Sequence, residues 1–431
     1  MLASGSAMSL ALLIGLSGCA RLEGTVLGLR PQDAGLPPDG AADGAIDGTV
    51  DGAGDAAPAD DDGGTCFAQV SGGEGATCVR TRADSAYCYG SNDRGQLGNG
   101  TVGGNLPPTP VDNLETGVAQ VASGLGFACA RKTDGTAWCW GLANGATGQL
   151  GNGTTAGSAT PVLVPGLGGT VVEIAAGGAV ACARTADQIV HCWGDNTGGA
   201  VGKGAKSGIE APVALTTLGP AKQICVGVNH ACALKPDGTV WCWGRNDKGQ
   251  ALDGSIFDQP APARAATPVT FDSVACGHEH TCGVRTDRLL SCWGRNDSGQ
   301  LGNHSYIGGL AATPVPDLAN VEQVTAGASH TCALLSDRTV WCWGSNETGA
   351  LGNDQLATSH NAPVQIERLR GEVEAINAGA THNCVLMTGG ALWCWGDNLF
   401  GQLAGHPPPL GAAIVPLPVR VGCVGDTPTI G

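Results

Sequence analysis

Histidine recurs at His230, His280, His330 and His382, each two residues before a cysteine, in a chain with nineteen cysteines. Imidazole and thiolate are the usual nitrogen and sulfur ligands of zinc, so a metal site is the first chemistry to weigh. The same position in other copies of the motif holds Ala76, Phe127 and Val180, and His278 adds a second imidazole near His280 without a third ligand. A packed, hydrogen-bonded histidine is the better reading. Asp39, Asp43, Asp47 and Asp51, each before a glycine, suggest calcium, but an EF-hand loop needs acids at alternate positions and a closing Glu. The stretch "GSNDRGQLGNG" at 90–100 is glycine-rich like a phosphate loop. It lacks the Gly-Lys-Ser/Thr ending, leads into no helical pattern and returns in several copies, which marks a turn. No nucleophile elbow, HExxH or CxxC is present. Asp134, Asp237 and Asp337 sit at hairpin turns, where Asp is a turn former before it is an acid. The sequence offers no catalytic, metal or cofactor constellation.

The elements that would carry such residues begin after two atypical segments. Residues 9–16, "SLALLIGL", are too short to span a bilayer with comfort. They run into Leu16-Ser17-Gly18-Cys19, an apolar region followed by small residues, as at a signal-peptide cleavage site. That order is similar to a bacterial lipobox and implies cleavage before Cys19 and a lipid on its sulfur. No Lys or Arg precedes the apolar run, which departs from the pattern. Ala20 beside the cysteine implies the outer membrane. Between Asp33 and Gly64 stand nine aspartates and no basic residue. So little apolar content cannot offset the entropy of ordering, so 19–64 is expected to be a disordered tether. This acidic arm accounts for much of the net charge of −16. Nucleic acid is not an expected partner, because binding a polyanion takes clustered Lys and Arg.

From Cys66 onward one unit repeats. A glycine is followed five residues later by a cysteine, and a second cysteine comes ten residues after the first. The pairs are Cys78/Cys88, Cys129/Cys139, Cys182/Cys192, Cys232/Cys242, Cys282/Cys292, Cys332/Cys342 and Cys384/Cys394, spaced 50 to 53 residues apart. All ten tryptophans flank the second cysteine, and Tyr87 and Tyr89 replace them in the first unit. With 71 glycines and only 14% charged residues the composition suits turns and short strands and disfavours long helices. Each unit contains about four short apolar runs between Gly, Pro, Asn and Asp, hence a four-stranded antiparallel sheet. Seven such sheets bury each other's faces when arranged around an axis. The predicted fold is an all-β, seven-bladed propeller over 65–431.

In "CALKPDGTVWCW" (232–243) the residues Pro236-Asp237-Gly238 fit a three-residue hairpin loop, pairing Lys235 with Thr239. Counting along the ladder puts Cys232 opposite Cys242 at a non-hydrogen-bonded site, where Cα atoms lie closest. A cross-strand disulfide suits that spacing. Trp241 and Trp243 fall on the other face and are expected to pack against a neighbouring blade. Five cysteines remain. Cys19 is assigned to lipid, Cys225 and Cys276 precede equivalent glycines of adjacent units and are candidates for an inter-blade bond, and Cys66 and Cys423 are candidates for fastening the two ends. Such heavy cysteine use belongs to an oxidising compartment.

The unit "GxxHTCAL…DGTVWCWGxNxxGQLGNG", seen best at 277–303 and 327–353, resembles the repeat of the regulator of chromosome condensation (RCC1) family. The resemblance covers nearly all of Cys66–Val424. It implies a seven-bladed propeller that binds proteins through loops on one face, while the paired cysteines depart from the eukaryotic members and look like an exported bacterial version. The founding member's GTPase and chromatin roles do not carry over to a chain with an export signal and no basic tail. The expected function is non-enzymatic recognition of a protein partner at the cell envelope, by a monomer that meets the membrane only through its lipid and needs no cofactor. The variable loops at 101–110, 154–160, 253–267, 304–313 and 354–362 are the expected contact surface, with no single binding residue assigned. The alternatives are a glycan-binding propeller using exposed indoles, among which Trp138, Trp241, Trp341 and Trp393 are the candidates, and a propeller enzyme with a loop-built active site.

Overall fold

The computed structural model describes residues 66–142, 148–369, 371–404 and 413–423. They form seven antiparallel sheets of four strands each, every sheet built from consecutive strands. Blade 1 spans 67–110, blade 2 118–163, blade 3 171–214, blade 4 223–264, blade 5 271–314, blade 6 321–365 and blade 7 373–421. The first strands of neighbouring blades touch one another around a central channel, and that of blade 7 touches that of blade 1. The ring is therefore closed. A meander of short strands follows from a sequence that places Gly, Asn, Asp or Pro after every five or six residues, because each strand must end where those residues turn the chain.

The second and third strands of each blade form the cysteine hairpin. Cys78 pairs with Cys88, Cys129 with Cys139, Cys182 with Cys192 and Cys232 with Cys242 in register. The last three blades repeat this with Cys282 and Cys292, Cys332 and Cys342, and Cys384 and Cys394. Each of the seven pairs is disulfide-bonded, with Cα atoms 4.0–4.1 Å apart. The turn that sets this register is the one the sequence indicates. The Lys235 N–H donates to the Thr239 carbonyl at 2.9 Å, and Gly238 takes φ 79°. Glycine is not obligatory there: Arg288 and Arg338 stand at the same position with φ 64° and 69°.

Alternation places cysteine and tryptophan on opposite faces of the third strand, so one blade's sulfurs meet the next blade's indole. The Cys182–Cys192 staple packs on Trp243 of blade 4, Cys232–Cys242 on Trp293 and Cys332–Cys342 on Trp395. Around the closure, Cys384–Cys394 of blade 7 packs on Tyr89 of blade 1, the residue that replaces tryptophan there. Trp140, Trp193, Trp243, Trp293, Trp343 and Trp395 are all wholly buried. Burying a large aromatic stabilises by roughly 2–3 kcal/mol, and the indole also anchors a hydrogen bond. Nε1–H of Trp243 donates to the Ala200 carbonyl and that of Trp343 to the Gln300 carbonyl, both at 2.9 Å and both across a blade boundary.

Among the described residues no strand is exchanged between the first and last blades. Closure is held instead by Cys66–Cys423, by the Phe67 N–H to the Gly390 carbonyl at 3.1 Å and by the Ala380 N–H to the Gly73 carbonyl at 2.9 Å.

Candidate functional site

The first and third strands of each blade end on the same side of the ring, so the tight first turns and the long loops after the third strands share one face. Those loops are the variable segments of the sequence. Their base is built by the repeated asparagine. Asn246 and Asn296 are buried. The Oδ1 atom of Asn246 accepts the Ala251 N–H at 2.8 Å, and that of Asn296 accepts the Leu301 N–H at 2.9 Å. Their Nδ2 atoms donate into the loop itself, to the Phe257 and Ile307 carbonyls at 3.1 and 2.9 Å. With the carbonyl held inward, the side chain of the same residue is turned out.

What the loops display differs around the ring. Blades 4 to 6 present Ile256, Phe257, Tyr306, Ile307 and Leu356, of which Phe257 is 75% and Ile307 78% exposed. The matching segment of blade 2 carries Thr154 and Thr155, and that of blade 3 Lys203 and Lys206. Adjacent loops are tied to one another. The Tyr306 hydroxyl donates to the Ser359 carbonyl at 3.3 Å, the His304 N–H to the Asn361 carbonyl at 2.8 Å, and Lys206 of blade 3 pairs with Asp258 of blade 4. Charges nearby are compensated in the same way, Arg245 by Asp247, Arg295 by Asp297 and Glu279 and Arg368 by Asp354, and His304 Nε2 lies 2.6 Å from Asp317. Isolated exposed apolar side chains are ordinary; here five stand on the loops of three successive blades.

The other candidates resolve into structure. His230, His280, His330 and His382 are buried, and each reaches the next blade. Nε2 of His230 lies 3.0 Å from Thr281 Oγ1 and that of His280 2.9 Å from Thr331 Oγ1. The Thr hydroxyls give their protons to the Gln250 and Gln300 carbonyls. The histidines are therefore the donors, protonated on Nε2. The opposite edge of each ring lies flat on a glycine: a methyl at Gly227, Gly277, Gly327 or Gly379 would overlap the ring three residues later. This explains the Gly-x-x-His spacing. Burial lowers the imidazole pKa to about 4 in His230 and His330 and to about 3 in His280 and His382, because a second proton would place a charge in an apolar wall.

Of the four indoles considered for sugar stacking, none is exposed. Trp138, Trp241, Trp341 and Trp393 are half-buried. Trp138 and Trp341 donate to Thr136 and Thr339 at 2.9 and 3.0 Å, and Lys235 covers Trp241 with its Nζ 4.9 Å from the ring centroid. Along the channel, Gln69, Gln120, Gln223 and Gln323 each bridge to the backbone of the next blade through both ends of the amide. Cys225 is bonded to Cys276 across blades 4 and 5. With Cys232 these two make a cluster of sulfurs within 4.8 Å of one another, but every member is in a disulfide, and a metal ligand must be a thiolate. Cys19 lies outside the described residues.

The repeat identifies the chain. A model of the RCC1-like domain matches residues 147–424, and models of the RCC1 repeat match 84–131 and 118–149. The chain belongs to the RCC1 family. The yeast RCC1 protein Prp20, solved bound to Kap60, superposes on this RCC1-family propeller with a TM-score of 0.68 at 18% identity, covering 83% of this chain and 85% of the other. Human WBSCR16 gives 0.68 at 22% identity, over 79% and 94%. Such identities show the common fold. Among curated relatives, the human E3 ubiquitin-protein ligase HERC2 is 34% identical over 126 residues, 29% of this chain and 3% of that protein. The ultraviolet-B receptor UVR8 of Arabidopsis thaliana is 30% identical over 142 residues, 32% of each chain. The chain thus matches between a small fraction and about a third of the length of these relatives.

The five loop residues were not legible one by one, although "GSIFDQ" and "HSYIGG" place apolar pairs where turn chemistry calls for polar residues. That mismatch is the signal that points to four of them, Leu356 lying in neither stretch.

Proposed function

We propose that this RCC1-like propeller is a non-enzymatic binding protein that receives an apolar surface of a protein partner on the loops of blades 4 to 6. The observation that carries the reading is the tethered display of Ile256, Phe257, Tyr306, Ile307 and Leu356. Because several of the surrounding charges are already paired with each other, apolar contact is expected to supply most of the affinity, and binding is expected to change little between low and physiological salt. Related propellers support a binding role: one was solved in complex with Kap60. Affinity capture with the full chain, run beside a Phe257→Asp/Ile307→Asp variant of equal melting temperature, tests this. A partner held by the wild type and lost by the variant supports the proposal; a partner held equally by both, or turnover of a substrate at an intact loop face, refutes it.

The cellular setting we propose is the bacterial envelope, with 1–18 removed as a signal, Cys19 lipidated and 19–64 serving as tether on the outer membrane. The nine disulfides use eighteen of the nineteen cysteines, which suits an oxidising compartment and leaves Cys19 over. Incorporation of labelled palmitate into the wild type and its loss in Cys19→Ser supports this; equal labelling of both, or of neither, overturns it.

A further inference from the structure

The fourteen hairpin cysteines are all buried to 1% exposure or less, and their bonds are closed off from solvent by the next blade's aromatic ring. Cys225–Cys276 is different in two respects. Cys276 is half-buried and both residues line the central channel, and a third sulfur, Cys232 of the hairpin staple, lies within 4.8 Å of both. Cys225 stands directly opposite Cys232 in the register of the first and second strands of blade 4, while Cys232 stands opposite Cys242 in the register of the second and third. Three cysteines thus run side by side across one sheet, with a fourth reaching in from blade 5. The sheet can close either neighbouring pair, because directly opposed residues have Cα atoms about 4.5–5.5 Å apart, within the span of a disulfide.

The corresponding places in other blades show what the bond replaces. In blades 1 and 6 a polar side chain bridges the same gap by a hydrogen bond: Ser71 Oγ accepts the Ser123 N–H at 2.9 Å and Thr325 Oγ1 accepts the Ala378 N–H at 2.9 Å. Inter-blade contact at this point does not need sulfur, and the cysteine pair adds exchange chemistry to it.

We propose that the channel is a thiol–disulfide exchange site for small dithiols, in which Cys225–Cys276 takes up the reductant and passes the opening to the buried Cys232–Cys242 staple. A dithiol enters as thiolate and attacks the Cys276 sulfur, forming a mixed disulfide and releasing Cys225 as thiolate. Cys225 attacks the Cys232 sulfur, forming Cys225–Cys232 and releasing the Cys242 thiolate, which takes up a proton. The second thiol of the reagent displaces Cys276 and leaves as the cyclic disulfide. Two electrons enter, the dithiol is oxidised, and two protein disulfides become one disulfide plus the Cys242 and Cys276 thiols. Each displacement is the ordinary thiolate attack on a disulfide sulfur. The channel volume of about 290 Å³ admits a small reagent and no folded protein.

The test is limited reduction of the folded full chain with dithiothreitol, followed by acid quench, alkylation and peptide mapping without further reduction. The expected first product carries label on Cys242 and Cys276 and contains a Cys225–Cys232 bond. Label confined to Cys225 and Cys276, or appearing first on a staple of another blade, overturns the proposal. In a Cys276→Ser variant, which leaves Cys225 free with no reductant added, a share of molecules is expected to hold Cys225–Cys232 with a free Cys242; Cys225 remaining the free thiol in every molecule refutes the relay. Opening of this cluster by a protein dithiol as fast as by dithiothreitol refutes the channel as the route.

Discussion

Cys66 and Cys423 are bonded across 357 residues of sequence with their Cα atoms 4.9 Å apart. Among the described residues no strand passes from one end of the chain into the other end's blade, and this bond is the sole covalent link there between blades 7 and 1. The remaining closure includes the Phe67, Tyr89 and Leu392 cluster, the side-chain hydrogen bonds of Thr77 with His382 and the Gln402 carbonyl and of the Gly72 N–H with Asn377, and backbone bonds.

Replacing both residues, Cys66→Ser with Cys423→Ser, therefore restores the full freedom of a very long loop to the unfolded chain, a loss of about 6 kcal/mol on chain-entropy grounds. The first strand of blade 1 and the last of blade 7 are expected to gain the most in amide hydrogen exchange, while blades 3 to 5 keep their protection. Uniform exchange around the ring would show that the seam is not the weak point.

Trp243→Ala removes a wholly buried ring from the face of Cys182–Cys192 and orphans the Ala200 carbonyl. Large aromatic truncations in a core cost about 3–5 kcal/mol. Trp243→Phe keeps most of the volume and loses the hydrogen bond, for about 1–2 kcal/mol. Thermal or denaturant unfolding of the two variants separates packing from bonding. Equal losses would mean that the indole N–H, rather than the ring's bulk, carries the contact.

Acid should weaken the fold through the four buried histidines. Their folded-state pKa values, about 3 to 4, lie below the value near 6.5 of an unfolded histidine. Below pH about 6.5 the unfolded chain binds protons that the folded chain refuses. The stabilisation is complete above that pH and is lost as pH falls toward 3, with a slope of about 1.4 kcal/mol per pH unit for each histidine. His280→Gln keeps the size and polarity and should flatten the slope between pH 6 and 4. An unchanged slope would show that the imidazole titrates freely in the folded state.

Asn246→Ala cuts the Ala251 bond and the bonds to the Ser255 and Phe257 carbonyls together. Stability should fall by about 1–3 kcal/mol, the cost of leaving buried groups unpaired. Partner capture should fall with it, because Phe257 loses its fixed outward pose. Phe257→Asp should abolish capture without moving the melting temperature. A loss of stability in Phe257→Asp would mean that the ring is structural.

Much of the architecture is legible in the repeat because the same physical problem is solved in every copy. A ten-residue separation between cysteines around a three-residue turn admits one register, and alternation then forces tryptophan to the other face, so blade, staple and inter-blade contact all follow locally from residues 232–243. The same logic made His230, His280, His330 and His382 structural, although not why glycine stands three residues before them. That reason is a contact between ring and backbone which spacing alone does not show. The loops 253–267 and 304–313 stand out in the sequence, but Phe257 and Ile307 do not stand out within them, because exposure is a property of the assembled loop, decided by where Asn246 and Asn296 point their amides.

By itself, then, the amino-acid order settled everything that depends on neighbours along the chain: strand lengths, hairpin register, the cross-strand sulfurs and the family pattern. The tertiary structure decided what depends on curvature of the ring. Only closure brings Cys66 to Cys423 and sets Tyr89 on the last staple. Only the angle between blades 4 and 5 brings Cys276 within reach of Cys225 and Cys232. Only the ring sets the exposed apolar residues of blades 4 to 6 on one face. Those distances come from how far each blade is rotated from the last, and that rotation is fixed by the packing of buried rings between sheets, a sum over many contacts that no short stretch of sequence contains.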